Sequence, residues 1–217
     1  MPVDLRSVAP DCYSERVVDK VLARAAQLAL LGFGIVTAAF ALPVFDVWAR
    51  LIIANAALAA IGLAALDDDR RARLRPTLTG TVLGVISAAA LYGGAWVISR
   101  VPAAAAQTHQ FVAWTAGHSV GFVAATLPIA VLGEELFWRA ALIDPLRQRL
   151  PLLTSVAAST VVYALAHIAS GTWLLPFAAF GAGLVWALLF AATGNLTASV
   201  VSHLVFDVLV ILVAPLA

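Results

Sequence analysis

Between Thr77 and Ser99 the chain runs without a single charged side chain, far enough as a helix to cross the roughly 30 Å hydrocarbon core of a bilayer. Six further apolar stretches resemble it, at about Ala25–Phe45, Val47–Leu66, Ser119–Ile143, Leu152–Ala169, Trp173–Thr193 and Leu196–Leu216. At about 20 residues a span, seven spans absorb about 140 residues. That is close to what a 217-residue chain with 63% hydrophobic residues supplies. Only 12% of residues are charged, against roughly a quarter in a soluble domain. The expected fold class is all-α, a polytopic transmembrane helix bundle of about seven spans with an N-terminal interfacial helix. A soluble enzyme domain and a disordered linker protein are excluded. A net charge of +1 gives no basic excess for a nucleic-acid partner.

The ends and connections divide the chain. Residues 1–24 mix acids and bases in a way unlike a cleaved signal peptide and are expected to remain as an interfacial segment. Residues 25–99 should form three transmembrane helices, 100–118 a polar connection, and 119–217 a four-helix core. The single cysteine, Cys12, cannot form an internal disulfide. Short connections at Ser170-Gly171-Thr172 and Gly194-Asn195 should make the last three helices antiparallel neighbours, and Gly181 and Gly183 suit close helix packing. Arginine and lysine concentrate at the N-terminus (Arg6, Arg16, Lys20, Arg24), at Arg70, Arg71, Arg73 and Arg75, and at Arg147 and Arg149, whereas Arg50 and Arg100 fall on the other side. The charge rule therefore places the N-terminus in the cytoplasm. The expectation is an integral protein of a bacterial inner membrane.

Ionisable groups inside spans cost about 2.5–3.5 kcal/mol each at the helix centre on insertion scales, and so mark functional sites. Here they cluster on three spans. The fourth carries Glu134-Glu135 and Arg139, the fifth Tyr163 and His167, and the seventh His203 and Asp207. Helical positions four apart share a face whereas adjacent ones differ by about 100°. Glu135 can therefore pair with Arg139 as a brace, while Glu134 points elsewhere without its own cation and is the better general base. His203 and Asp207 share a face, so the carboxyl can orient the ring. Two glutamates, two histidines and an aspartate are the ingredients for activating a water and protonating a leaving group, and peptide hydrolysis is the obvious reaction.

At these residues the sequence resembles the CPBP family of intramembrane proteases (CAAX protease and bacteriocin-processing, also called ABI), which includes the type II CAAX prenyl endopeptidases and bacterial bacteriocin-immunity homologues. The resemblance covers about Gly117–Ala217. Glu134, Glu135 and Arg139 match its motif of two glutamates, three variable residues and arginine. Tyr163 and His167 match an aromatic, usually Phe, four residues before a histidine. His203 and Asp207 match a histidine followed four residues later by Asn or Asp. The resemblance implies that Glu134 activates the attacking water with help from His167, and that His203 and residue 207 steady the tetrahedral oxyanion. An ionised Asp207 would repel an oxyanion, so it is either protonated there or orients His203, and orientation is the reading taken here. Tyr163 adds a hydroxyl that needs a partner.

Glu134, His167 and His203 have the composition of a two-histidine, one-carboxylate zinc site, but the helix lacks H-E-x-x-H, and the resemblance favours a metal-free glutamic protease. No cofactor is expected, with zinc as the alternative. The expected partners are a peptide or protein substrate in or at the membrane and the lipid bilayer itself, with cleavage in a membrane-proximal or C-terminal segment. A proton-coupled transporter would also use such a Glu, His and Asp set, and a non-cleaving immunity scaffold would use the same fold. His109 and His118 read as ordinary solvated residues, Asp67-Asp68-Asp69 as a solvated helix end, and Trp48, Trp96, Trp114 and Trp173 as interfacial anchors.

Overall fold

A computed structural model describes residues 11–216, with side-chain surroundings from Lys20 onward, Val112 excepted. The first ten residues of the expected interfacial segment lie outside the described residues. Helix α1 (Asp11–Ala41) is continuous, so from Asp11 onward the chain leads straight into the first span. A turn through Phe45 (φ 57°) leads to α2 (Val47–Ala65). The short α3 (Asp68–Ala72) follows, then α4 (Leu78–Ile98) and α5 (Pro102–Ala113). Helix α6 (Val120–Glu134) runs without a break through a π-helical segment, Glu135–Ile143, into α7 (Asp144–Arg147). After α8 (Leu152–Ala166) and a 3-10 turn (Ile168–Ser170) come α9 (Leu174–Thr193) and α10 (Thr197–Val208), which ends in a π-helical turn, Leu209–Val213.

Side-chain caps set several of these starts. Asp46, Asp67, Thr77 and Ser119 each accept from a backbone N–H three residues on, satisfying donors that the first turn of a helix leaves free. Asp67 thus starts a short helix at the expected solvated helix end. Two of the chain reversals rely on glycine. Gly171 (φ 79°) and Gly194 (φ 63°) lie in the left-handed region and reverse the chain between α8 and α9 and between α9 and α10.

Among the described residues, six helices are long and apolar enough to cross a membrane. The seventh expected span is shorter, 17 residues from Thr197 to Val213. Its start is set by Asn195, whose side-chain oxygen accepts from the Thr197 N–H at 2.7 Å. Its end falls before Pro215, which keeps Ala214 out of the helical region (φ −141°, ψ 69°). The polar connection holds a helix, α5, opened by Pro102 and an alanine run. The fourth span extends to Arg147, four residues beyond the expected end.

Small residues decide which helices meet. A Cβ on Gly80 or Gly84 of α4 would strike Thr197 or Val201 of α10, and α4 is the most extensive partner of α10. Gly133 of α6 lies against the Asn55 backbone of α2, and Gly62 of α2 against the Leu136 backbone. Close approach of this kind is how helices associate where no water drives them together. At one end the α3–α4 loop crosses the bundle. Arg73 binds Asp144 at 3.1 Å, with Arg70 at 3.8 Å, and the Arg75 carbonyl accepts from Asn195 Nδ2 at 3.0 Å.

Candidate active site

The π-helical segment is buried along its whole length, Glu135 to Ile143. Ser159 of α8 donates to the Trp138 carbonyl at 2.8 Å, pinning backbone that the i→i+5 pattern displaces. Glu135 is completely buried, and its Oε1 lies 3.3 Å from Arg139 Nη1, the expected brace. The same oxygen accepts from His203 Nδ1 at 2.8 Å, a contact between distant segments that sequence spacing did not suggest. Arg139, 2% exposed, donates to the Gly183 carbonyl at 3.3 Å and lies over the rings of Tyr163 and Trp186, 4.7 and 5.5 Å from their centres. Glu135 and Arg139 thus join α8, α9 and α10 to the π-helical segment.

Glu134 turns the other way and is partly exposed. Its Oε2 accepts from the Tyr163 hydroxyl at 2.5 Å and lies 3.9 Å from His203 Nε2. The Tyr163 hydroxyl thus has its partner. His167 caps the C-terminal end of α8, with Nδ1 2.7 Å from the Tyr163 carbonyl. A carbonyl only accepts, so Nδ1 carries the proton and Nε2 is left as an acceptor. His203 stacks on Trp186, ring centres 3.6 Å apart, and Trp186 donates to Ser202 at 3.1 Å. Asp207 Oδ2 is 3.5 Å from His203 Nε2. The tighter contact of His203 is therefore Glu135 on one nitrogen, with Asp207 flanking the other.

Glu134, Tyr163, His167, His203 and Asp207 all line one cavity of about 480 Å³. Its walls are otherwise largely apolar and include Phe40, Trp48, Asn55, Leu91 and Phe111 of α1, α2, α4 and α5, with Trp114 just after α5. Two of the expected interfacial anchors are therefore inside. Trp48 is 5% exposed and donates to Thr126 at 3.0 Å, and Trp114 packs on Phe40, centres 5.5 Å apart. Trp96 and Trp173 are exposed, with Arg100 over the Trp96 ring. His118 pairs with Asp46 at 3.0 Å instead of standing free in solvent. Gly183 meets the Tyr163 ring, whereas Gly181 has open space beside it. Among the described residues no three His, Cys, Asp or Glu side chains converge in a set able to hold a metal ion.

Carboxylates and imidazoles from three segments thus meet on one cavity inside the helical bundle. Residues 115–209 match the family model described as Type II CAAX prenyl endopeptidase Rce1-like, so over that segment the chain is similar to a family of proteases. Comparison with curated proteins and with solved structures finds no match.

Proposed function

We propose that the protein is an intramembrane endopeptidase that hydrolyses a peptide bond in a membrane-proximal or C-terminal segment by a water that Glu134 activates. The observation that carries this reading is the convergence of Glu134, His167, His203 and Asp207 on one apolar cavity, where electrostatic contacts act with little screening by water. Glu134 takes a proton from water, and the water oxygen bonds to the scissile carbonyl carbon. His167 Nε2 holds the water in line. His203 donates from Nε2 to the oxyanion, its ring fixed by Glu135 and Trp186, while Asp207 holds that N–H until the substrate carbonyl arrives. Glu134 then passes its proton to the leaving nitrogen as the C–N bond breaks, and the enzyme is unchanged.

The reaction is metal-free in this reading. Tyr163 donates to Glu134 Oε2, and His203 is held by Glu135 and flanked by Asp207, contacts that support an acid–base role for these groups. A membrane-permeable chelator should leave turnover unchanged, and loss restored by added zinc would overturn this part. The N-terminus lies on the cytoplasmic side of a bacterial inner membrane in this reading. Arg24 and Arg70 flank one small pocket, and Arg70 and Arg73 meet Asp144, which gathers the arginine-rich segments at one end of the bundle.

The test is a comparison of peptide termini in native-host membranes that carry wild type or Glu134→Gln at equal abundance. Termini lost in the variant establish proteolysis and name the substrate class. No difference, with both proteins folded, would move the reading to a scaffold that binds without cutting.

A further inference from the structure

We infer that Tyr163 is the positioning residue that sets both working groups of the site, through its side chain and its backbone separately. The inference rests on the proposed role of Glu134. The Tyr163 hydroxyl donates to Glu134 Oε2 at 2.5 Å, and the Tyr163 carbonyl accepts from His167 Nδ1 at 2.7 Å. The first bond occupies one carboxylate oxygen, so Oε1 is the atom that takes the proton from water. The second fixes the tautomer of His167, so Nε2 is the atom that meets the water. Oε1 and Nε2 are thereby singled out from four candidate atoms by one residue.

The ring is held firmly enough to do this. It is 4% exposed, the Arg139 guanidinium lies over its face, and a Cβ on Gly183 would come within 2.8 Å of Cδ1. The Trp138 and His167 rings pack against it edge-on, at 5.7 and 4.7 Å. When Glu134 accepts the proton on Oε1, Oε2 becomes a carbonyl oxygen that still accepts from Tyr163. The acid therefore keeps its place for delivery to the leaving nitrogen. No bond of Tyr163 breaks in either step.

Tyr163→Phe removes the hydroxyl and keeps the ring, so packing and the His167 contact survive. In protein labelled with ¹³C at glutamate carboxyls, the resonance that Glu134→Gln deletes identifies Glu134. Tyr163→Phe should move that resonance, and Tyr92→Phe, whose hydroxyl binds the Ala214 carbonyl instead, should leave it in place. In native-host membranes, Tyr163→Phe should slow the appearance of Glu134-dependent termini on the order of tenfold to a hundredfold, the scale of cost when a reacting group is misplaced. Melting should stay unchanged. An unmoved resonance, or termini appearing at the wild-type rate, overturns the inference. Absence of any Glu134-dependent termini overturns the protease reading instead, and the resonance still decides whether Tyr163 holds the carboxylate.

Discussion

Arg139 is the residue on which the centre's stability turns. Its charge sits beside Glu135 with both side chains at 2% exposure or less. Removing one member of a buried pair leaves the other charge without compensation, which typically costs about 3–5 kcal/mol. Arg139→Met should therefore lower unfolding stability by about that amount in lipid or detergent, and with it activity, because Glu135 also orients His203. A variant as stable as wild type would show that Glu135 does not depend on this cation. The pairing of Glu135 with Arg139 is legible in sequence because i and i+4 meet on one helix. The bonds Glu135–His203 and Glu134–Tyr163 join residues 68 and 29 apart, and spacing rules carry no information about them.

At the level of helices, the apolar runs locate the spans well because crossing length depends on composition alone. Their ends are less visible. Local chemistry sets them: Asn195 and Pro215 shorten the last helix, and Pro102 with four alanines starts one in a stretch too polar to read as a span. The meeting of α2 and α6 depends on Gly133, since any Cβ there would run into the Asn55 backbone. Gly133→Ala must push the helices apart, with a cost of about 1–3 kcal/mol, typical of overpacking. Because Gly133 precedes Glu134, cleavage should fall together with stability. Wild-type melting in this variant would mean that the two helices are not held at this spacing.

Across the whole molecule, a polar contact ties two loops far apart in sequence. The Asp46 carboxyl is held below its ordinary value of 3.8 first by the Ala49 amide and then by His118. A carboxyl lowered on folding stabilises above its unfolded value, and the contribution fades as pH falls through the lowered one. Asp46 is half exposed, so solvent screens the effect and it should be small. The melting difference between wild type and Asp46→Asn should shrink as pH falls below about 4. A difference independent of pH would show that the cap and the His118 pair do not depend on the carboxylate charge.

The cavity has a consequence of another kind. Its ionisable groups come from the segment that carries the family match, whereas Phe40, Trp48, Asn55, Leu91 and Phe111 belong to helices that precede it. The ionisable groups are thus confined to one stretch of the gene, while the apolar walls draw on both halves, with Leu127, Phe177 and Trp186 among those of the second. Mutations in the first half can reshape the chamber while the carboxylates and imidazoles stay as they are, so descendants of one ancestor can part company over what they accept long before they differ in what they do to it.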